Sequence, residues 1–409
     1  MNAYVKKSLY SLQNLIKIKS VEGEKTNAFP FGEGPANCLN AFLSIASEMG
    51  FETVNYDNYI GEVIFGSGND KDGLAILAHL DVVPEGDVSM WTYPPYDLSF
   101  DGKYLYGRGI IDDKGPAVIC LYALKQLKDE GFIPNRKIKL ILGTNEESGW
   151  GCIDYYNKVA TFPSEGFTPD GEFPVIYAEK GIYHIKYQFK VGDGVTDIFG
   201  GDRVNMVCDK VTLRLKGEET EKVFKGVSAH GSPPELGDNA IKKALEYLVS
   251  VGEFSKTDYA NLFENATGIK NINHETGYLT FSPNVISYNN GIITVLVDVR
   301  YPSLQNLDYI KAELNKIGKF TLLHYQKPLF NDKNGKLVKT LLEVFNEKTG
   351  QNAKPIAIGG GTYARAIKQG VAFGASFDEH AHIPNEKQLL SNYELCYDIY
   401  YSAIKQLTK

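Results

Sequence analysis

Leu74-Ala75-Ile76-Leu77-Ala78-His79-Leu80-Asp81 is the stretch on which the fold reading turns. Residues 74–78 form an unbroken apolar run, the pattern of a strand buried on both faces of a sheet, and an imidazole and a carboxylate follow at once. Downstream, the spacing predicts a helix from about 115 to 130, ended by Gly131 and Pro134. A second buried strand follows over 138–142, with Asn145, Glu146 and Glu147 just beyond it. Buried strands alternating with helices predict an α/β layer architecture. In such sheets ligands bind beyond the carboxyl ends of the strands, so His79 and Glu146-Glu147 fall on one rim although they are far apart in sequence.

Working outward, residues 35–49 carry Cys38, Leu39, Phe42, Leu43, Ile45 and Ala46 at helical spacing before Gly50, and 53–56 and 62–65 read as a strand meander. From about 181 to 300 the pattern shifts to strands, such as 183–189 and 292–299, around a helix over 239–251. After Pro302 longer helices resume at 307–317, 336–349 and 392–407. The expected organisation is a discontinuous first domain, 1–181 and 302–409, carrying an inserted α+β domain, 182–301.

The composition excludes several classes. A length of 409 residues fits two or three domains at about 150 residues each. With 43% apolar and 23% charged residues, collagen-like, disordered and disulfide-scaffold chains are excluded. A net charge of −7 supplies no basic field for a phosphate backbone, so no nucleic-acid partner is expected. No apolar stretch approaches the roughly 20 residues of a membrane helix, and Lys17 and Lys19 interrupt any N-terminal signal core. The five cysteines, odd in number and without a C-x-x-C pair, read as reduced, buried thiols of a cytoplasmic protein.

Five segments offer chemistry. In His79-Leu80-Asp81 the carboxylate can fix the imidazole tautomer, as partners of metal-bound histidines do, although a structural histidine reads the same way. Gly107-Arg108-Gly109-Ile110-Ile111-Asp112-Asp113-Lys114 ends in paired acids at a helix start, where capping alone would also explain them. Thr144-Asn145-Glu146-Glu147-Ser148-Gly149 reads by itself as a solvated loop, and Thr168-Pro169-Asp170-Gly171-Glu172-Phe173-Pro174 as a turn. His380-Ala381-His382-Ile383-Pro384-Asn385-Glu386 adds a late imidazole.

In order and spacing, these segments together resemble the di-zinc metallopeptidase and amidohydrolase family of peptidase V dipeptidases, carnosinases and succinyl-diaminopimelate desuccinylase, over about residues 10–405. Asn145-Glu146-Glu147-Ser148-Gly149-Trp150, the 169–174 turn and Gly360-Gly361-Thr362-Tyr363-Ala364-Arg365 are most similar to the peptidase V group. The resemblance implies a catalytic di-metal domain with a mixed β-sheet flanked by helices, plus an inserted α+β lid or dimerisation domain. It implies two Zn²⁺, with Mn²⁺ or Co²⁺ as possible substitutes: one held by His79, Asp112 and Asp170, the other by His382, Glu147 and Asp112, which bridges. His382 fits the His-x-x-Asn/Asp-Glu signature and His380 does not, which leaves His380 to packing or support. Two divalent ions against three carboxylates and a bridging hydroxide make a near-neutral cluster, suited to a partly dry cleft.

The resemblance further implies that Glu146 is the general base acting with that hydroxide, that Asp81 orients His79, and that the Asp112-Asp113 peptide is cis. It gives His230, in Val227-Ser228-Ala229-His230-Gly231-Ser232-Pro233, an oxyanion role. Asn205 and Arg300 would grip a substrate carboxylate, with Gly360, Gly361 and Thr362 adding backbone donors. The expected substrate is a dipeptide or short peptide with a free carboxylate. An N-acyl amino-acid amidohydrolase is the alternative, differing only around the amino side, and a non-catalytic peptide-binding protein is a third reading. The inserted domain is smaller than the enlarged lid of peptidase V, which leaves monomer or homodimer open, and with it whether His230 acts in its own subunit.

Overall fold

The computed structural model describes residues 2–303, 306–377 and 380–409. The chain divides into two compact units. The first comprises Met1–Tyr177, Asn331–Ile356 and Thr362–Lys409, and the second Ala178–Phe330 and Ala357–Gly361.

In the first unit the strands run in the order Glu52–Tyr56, Ile60–Phe65, Ile138–Gly143, Leu74–His79, Glu165–Thr168 and Gln369–Ala372. The first pairs antiparallel with the second, and the second antiparallel with the third; the last four are mutually parallel. Leu74–His79 and Ile138–Gly143 are buried along their whole length, as parallel strands covered on both faces must be. Side chains alternate between the two faces. Ala75, Leu77 and Ile141 join a cluster with Cys152, Ile153 and Tyr156 of the helix Gly151–Val159 and with Tyr363 and Ile367. The opposite face is covered by the helix Lys114–Asp129, which packs between Ala3–Ile16 and Leu390–Leu407.

This arrangement fixes the site. The connections leaving Leu74–His79 and Ile138–Gly143 pass to opposite sides, because Leu74–His79 lies between Ile138–Gly143 and Glu165–Thr168. That is a topological switch point, where the loops beyond the strand ends diverge and leave a crevice.

The second unit is built on a seven-stranded antiparallel sheet, ordered Lys222–Lys225, Lys210–Leu215, Val195–Gly200, Thr280–Asn289, Ile292–Tyr301, Gly181–Lys190 and Thr321–Gln326. One face buries Ile185, Tyr187, Val295 and Val297 against Ile241, Leu245 and Leu248 of the helix Ala240–Ser250 and Ile310 and Leu314 of Leu307–Ile317. The unit therefore continues past the boundary read from the sequence at 302. Leu307–Ile317 looks like any amphipathic helix in isolation, but its apolar stripe completes this core, and Thr321–Gln326 then pairs with Gly181–Lys190. Among the described residues no helix is long and apolar enough to cross a membrane, and all five cysteines are free and buried.

Candidate active site

Each parallel strand delivers an acid or an imidazole at its carboxyl end. His79 is the last residue of its strand and stands beside Gly143 in the parallel ladder. Glu146 and Glu147 follow Gly143, Asp170 follows the strand Glu165–Thr168, and His382 lies in the loop after Gln369–Ala372. Asp112 precedes the helix Lys114–Asp129.

These side chains converge. His79 Nε2 lies 2.8 Å from Asp112 Oδ1 and 3.8 Å from Asp170 Oδ2. His382 Nε2 lies 2.7 Å from Asp112 Oδ2 and 3.1 Å from Glu147 Oε1. Asp112 thus sets one carboxylate oxygen against each imidazole. Two groups of donor atoms fall within 4.8 Å of one another: His79, Glu146 and Asp170, and His79, Asp112 and Glu147.

The chemistry of this donor set fits a cation. His79 Nε2 and Asp112 Oδ1 are buried and close, yet neither makes a hydrogen bond, an orphaned pair of the kind a shared ion satisfies. Burial, then the charge of Asp112, pushes the Asp170 carboxyl up to about 7. Burial and then Asp170 raise Glu146, and burial and then Asp112 raise Glu147. Burial alone would raise Asp112 as well, but the imidazoles of His382 and His79 hold it well below the carboxylate range. Its hydrogen bond to Asp112, and then that to Glu147, lifts the His382 imidazole to about 11. Four carboxyls crowded into one desolvated crevice repel one another until positive charge is supplied.

Supporting residues hold the loops in place. Asp81 does more than face His79 Nδ1 at 3.6 Å. Its two oxygens accept the backbone N–H groups of Glu146 and Glu147, both at 3.0 Å, and its carbonyl lies 3.0 Å from His79 Nδ1. Asp113 accepts from the His79 backbone at 3.1 Å, and the Asp112-Asp113 peptide is cis.

The sequence reading missed three further groups. Glu386, almost fully buried, accepts from Arg108 Nη1 at 2.6 Å and from the Gly109 and Ile111 amides at 3.0 and 3.1 Å, tying the His382 loop to the one that presents Asp112. Trp150 Nε1 donates to Glu146 Oε1 at 2.9 Å. Tyr363 sets its ring edge-on to both His79 and Trp150. The His-x-x-Asn-Glu spacing was the available signal for Glu386; Trp150 and Tyr363 stand inside the 145–150 and 360–365 segments quoted for the resemblance, but no role was read for either. His380 is exposed and stands apart from the cluster, lining a separate cavity with Tyr104 and Asn392.

Within the second unit, His230, Asn205 and Arg300 gather around Asp298, a fully buried residue that the sequence reading passed over. Asp298 takes Arg300 Nε at 2.8 Å and Nη2 at 2.9 Å. A Cβ at Gly231 would lie 2.3 Å from Asp298 Oδ2, so only glycine fits after His230. The Gly231 amide donates to the Asn205 carbonyl at 2.7 Å. Partial desolvation, then the Arg300 charge, lowers the His230 imidazole pKa, which favours its neutral form. The available signal was the alternation Asp298-Val299-Arg300, which puts both charges on one face of a strand. Gly360 and Gly361 close the second unit, while Thr362 belongs to the first, where its Oγ1 accepts the Ala364 amide at 3.3 Å.

Comparison with known proteins agrees with this architecture. A Beta-Ala-Xaa dipeptidase of Lactobacillus delbrueckii subsp. lactis is 33% identical over 454 aligned positions, covering 98% of this chain and 96% of that protein. The structure of human carnosine dipeptidase 1 is similar with a TM-score of 0.64 at 14% identity, covering 98% of this chain and 97% of that one. A Bacillus subtilis protein described as a dinuclear metal-binding peptidase of the M20 family is similar with a TM-score of 0.59 at 11% identity, over 99% of both chains. The model of peptidase family M20/M25/M40 matches residues 75–406, and with the 33% identical relative aligned end to end, the chain belongs to that family.

Proposed function

We propose that this protein is a metal-dependent dipeptidase that hydrolyses the amide bond of dipeptides or short peptides bearing a free carboxylate. The observation that carries the reading is the convergence of two imidazoles and four carboxyls at the carboxyl ends of parallel strands, with Asp112 shared between His79 and His382. The name of the 33% identical relative, a Beta-Ala-Xaa dipeptidase, supports a dipeptide substrate.

His79, Asp112 and Asp170 would hold one divalent ion, and His382, Glu147 and Asp112 a second. Mixed imidazole and carboxylate ligation suits Zn²⁺, with Mn²⁺ or Co²⁺ as substitutes. Bound there, such ions bring the pKa of water to near 7 and stabilise the negative oxygen that develops on the scissile carbonyl. Glu146 takes the proton of the attacking water and passes it to the leaving amine as the C–N bond breaks. Asp81 keeps His79 and both glutamates in register. His230 supplies a donor to the oxyanion, and Asn205 and Arg300 grip the substrate carboxylate, the guanidinium plane being fixed by Asp298. Gly360, Gly361 and Thr362 add polar contacts. In this reading the first unit is catalytic and the second a lid, and five free, buried cysteines suit a reducing cytoplasm.

The test compares Ala-Ala-type dipeptides with N-acetyl and N-succinyl amino acids. Turnover of the dipeptides is expected, and Glu146→Ala should lower it about 10²- to 10⁴-fold while metal content is unchanged. Turnover of acylated substrates alone would replace the reading by an amidohydrolase, and an unimpaired Glu146→Ala would remove the general base.

A further inference from the structure

Glu146 lies within ligand distance of His79 and Asp170, as Glu147 does of His79 and Asp112, so proximity does not separate the two acids. What distinguishes them is the hydrogen-bond partner. Trp150 Nε1 donates to Glu146 Oε1 at 2.9 Å, whereas Glu147 Oε1 faces His382 at 3.1 Å. We propose that Trp150 is a positioning residue for Glu146: its indole N–H pins one carboxylate oxygen, withholds the acid from the cations and aims the other oxygen at the attacking water. The inference rests on the general-base role proposed above.

The loop is built to hold that indole. Trp150 adopts φ 63°, a left-handed conformation that bulky side chains avoid and that persists only where surroundings impose it. Here the imposition is visible. The Trp150 amide donates to the Asn145 carbonyl at 2.8 Å, Asn145 Oδ1 accepts the Gly151 amide at 2.9 Å, and Asn145 Nδ2 donates to Ser148 Oγ at 2.7 Å. The Trp150 carbonyl then accepts the Ile153 and Asp154 amides of the helix Gly151–Val159. The indole packs against the fully buried Tyr363 ring, with centroids 5.2 Å apart. At its other end the Glu146 amide is held by Asp81 Oδ1. Glu146 is therefore gripped at both backbone and carboxylate, the two restraints a base needs to keep one orientation.

Trp150→Phe keeps an aromatic ring beside Tyr363 and deletes the N–H donor, together with part of the indole's bulk. With a dipeptide substrate, kcat should fall about 10- to 100-fold while KM, metal content by elemental analysis and melting temperature stay close to wild type. In a Glu146→Asp background, whose shortened acid cannot reach the indole, adding Trp150→Phe should cost less than about twofold. Equal losses in both backgrounds, or loss of metal from Trp150→Phe, would assign Trp150 a structural role and overturn the proposal. If Glu146→Gln, which keeps the side-chain length but not its basicity, retains wild-type kcat, the general-base reading fails with it, and that outcome is distinct from a failure confined to Trp150.

Discussion

Gly143 offers a sharp test of how the sheet supports the site. It ends the strand Ile138–Gly143 directly beside His79. A Cβ placed there would lie 2.0 Å from Tyr363 Oη, 3.0 Å from its Cζ and 3.3 Å from Cys152 Sγ. Tyr363 and Cys152 are fully buried and linked, Oη to Sγ, at 3.1 Å. No flexible tip is available to yield, so Gly143→Ala must displace the Tyr363 ring or the strand. That ring braces His79 at 6.1 Å and Trp150 at 5.2 Å, centroid to centroid. Overpacking of this kind costs about 1–3 kcal/mol, and a contact this short against buried neighbours belongs in the upper half of that range. Tyr363→Phe deletes the atom at 2.0 Å and gives up one weak hydrogen bond, at about 0.5–1.5 kcal/mol. The double variant should therefore be less destabilised than the sum of the singles by about 1 kcal/mol or more. Urea unfolding followed by circular dichroism for all four proteins measures this, with kcat and metal content alongside. Gly143→Ala should also lower kcat, and Tyr363→Phe should recover part of the loss. Energies that add to within about 0.5 kcal/mol, or an alanine variant as stable as wild type, would refute the clash.

Three further outcomes follow from the same geometry. Glu386→Ala leaves the buried Arg108 guanidinium without its carboxylate and should cost about 3–5 kcal/mol in urea unfolding, together with weaker metal retention against a chelator; a change below about 1 kcal/mol would contradict the pairing. The Asp70 carboxyl is held below its ordinary range by Lys137 first, with burial opposing and Lys139 assisting. Because the folded value is the depressed one, this stabilisation is complete above the unfolded value near about 4 and is lost as pH falls through the folded value. The stability gap between wild type and Asp70→Asn should thus be flat from about pH 5 to 7 and close below about pH 4; a gap that widens in acid would reverse the assignment. Dialysis against a chelator should abolish peptide hydrolysis and lower the melting temperature, since the carboxyls of Asp112, Glu146, Glu147 and Asp170 then repel one another unscreened, and Zn²⁺, Mn²⁺ or Co²⁺ should restore both; full activity in metal-free protein would exclude the di-metal reading.

The sequence by itself determined whatever is written in short-range pattern. The apolar runs at 74–78 and 138–142 specify strands buried on both faces, and a strand's end is where the chain must turn, so His79 and Glu146-Glu147 are legible in the sequence as rim residues. The helical spacing at 307–317 and 336–349 is local in the same way, and both helices stand at those residues. Tertiary structure alone decided which partners these elements found. Leu307–Ile317 carries an apolar stripe that would suit either unit, and only packing against Tyr187 and Val295 places it in the second. Asp81 reads locally as a partner for His79, yet its two oxygens hold the amides of Glu146 and Glu147, a contact set by the parallel pairing of two strands separated by a helix. Glu386 on Arg108, Asp298 beneath Gly231 and Tyr363 over Gly143 are of the same kind. A periodicity is a property of one segment and survives in the sequence. A hydrogen bond or a steric stop between distant segments depends on their relative placement, which the packed core fixes only when the whole chain has folded.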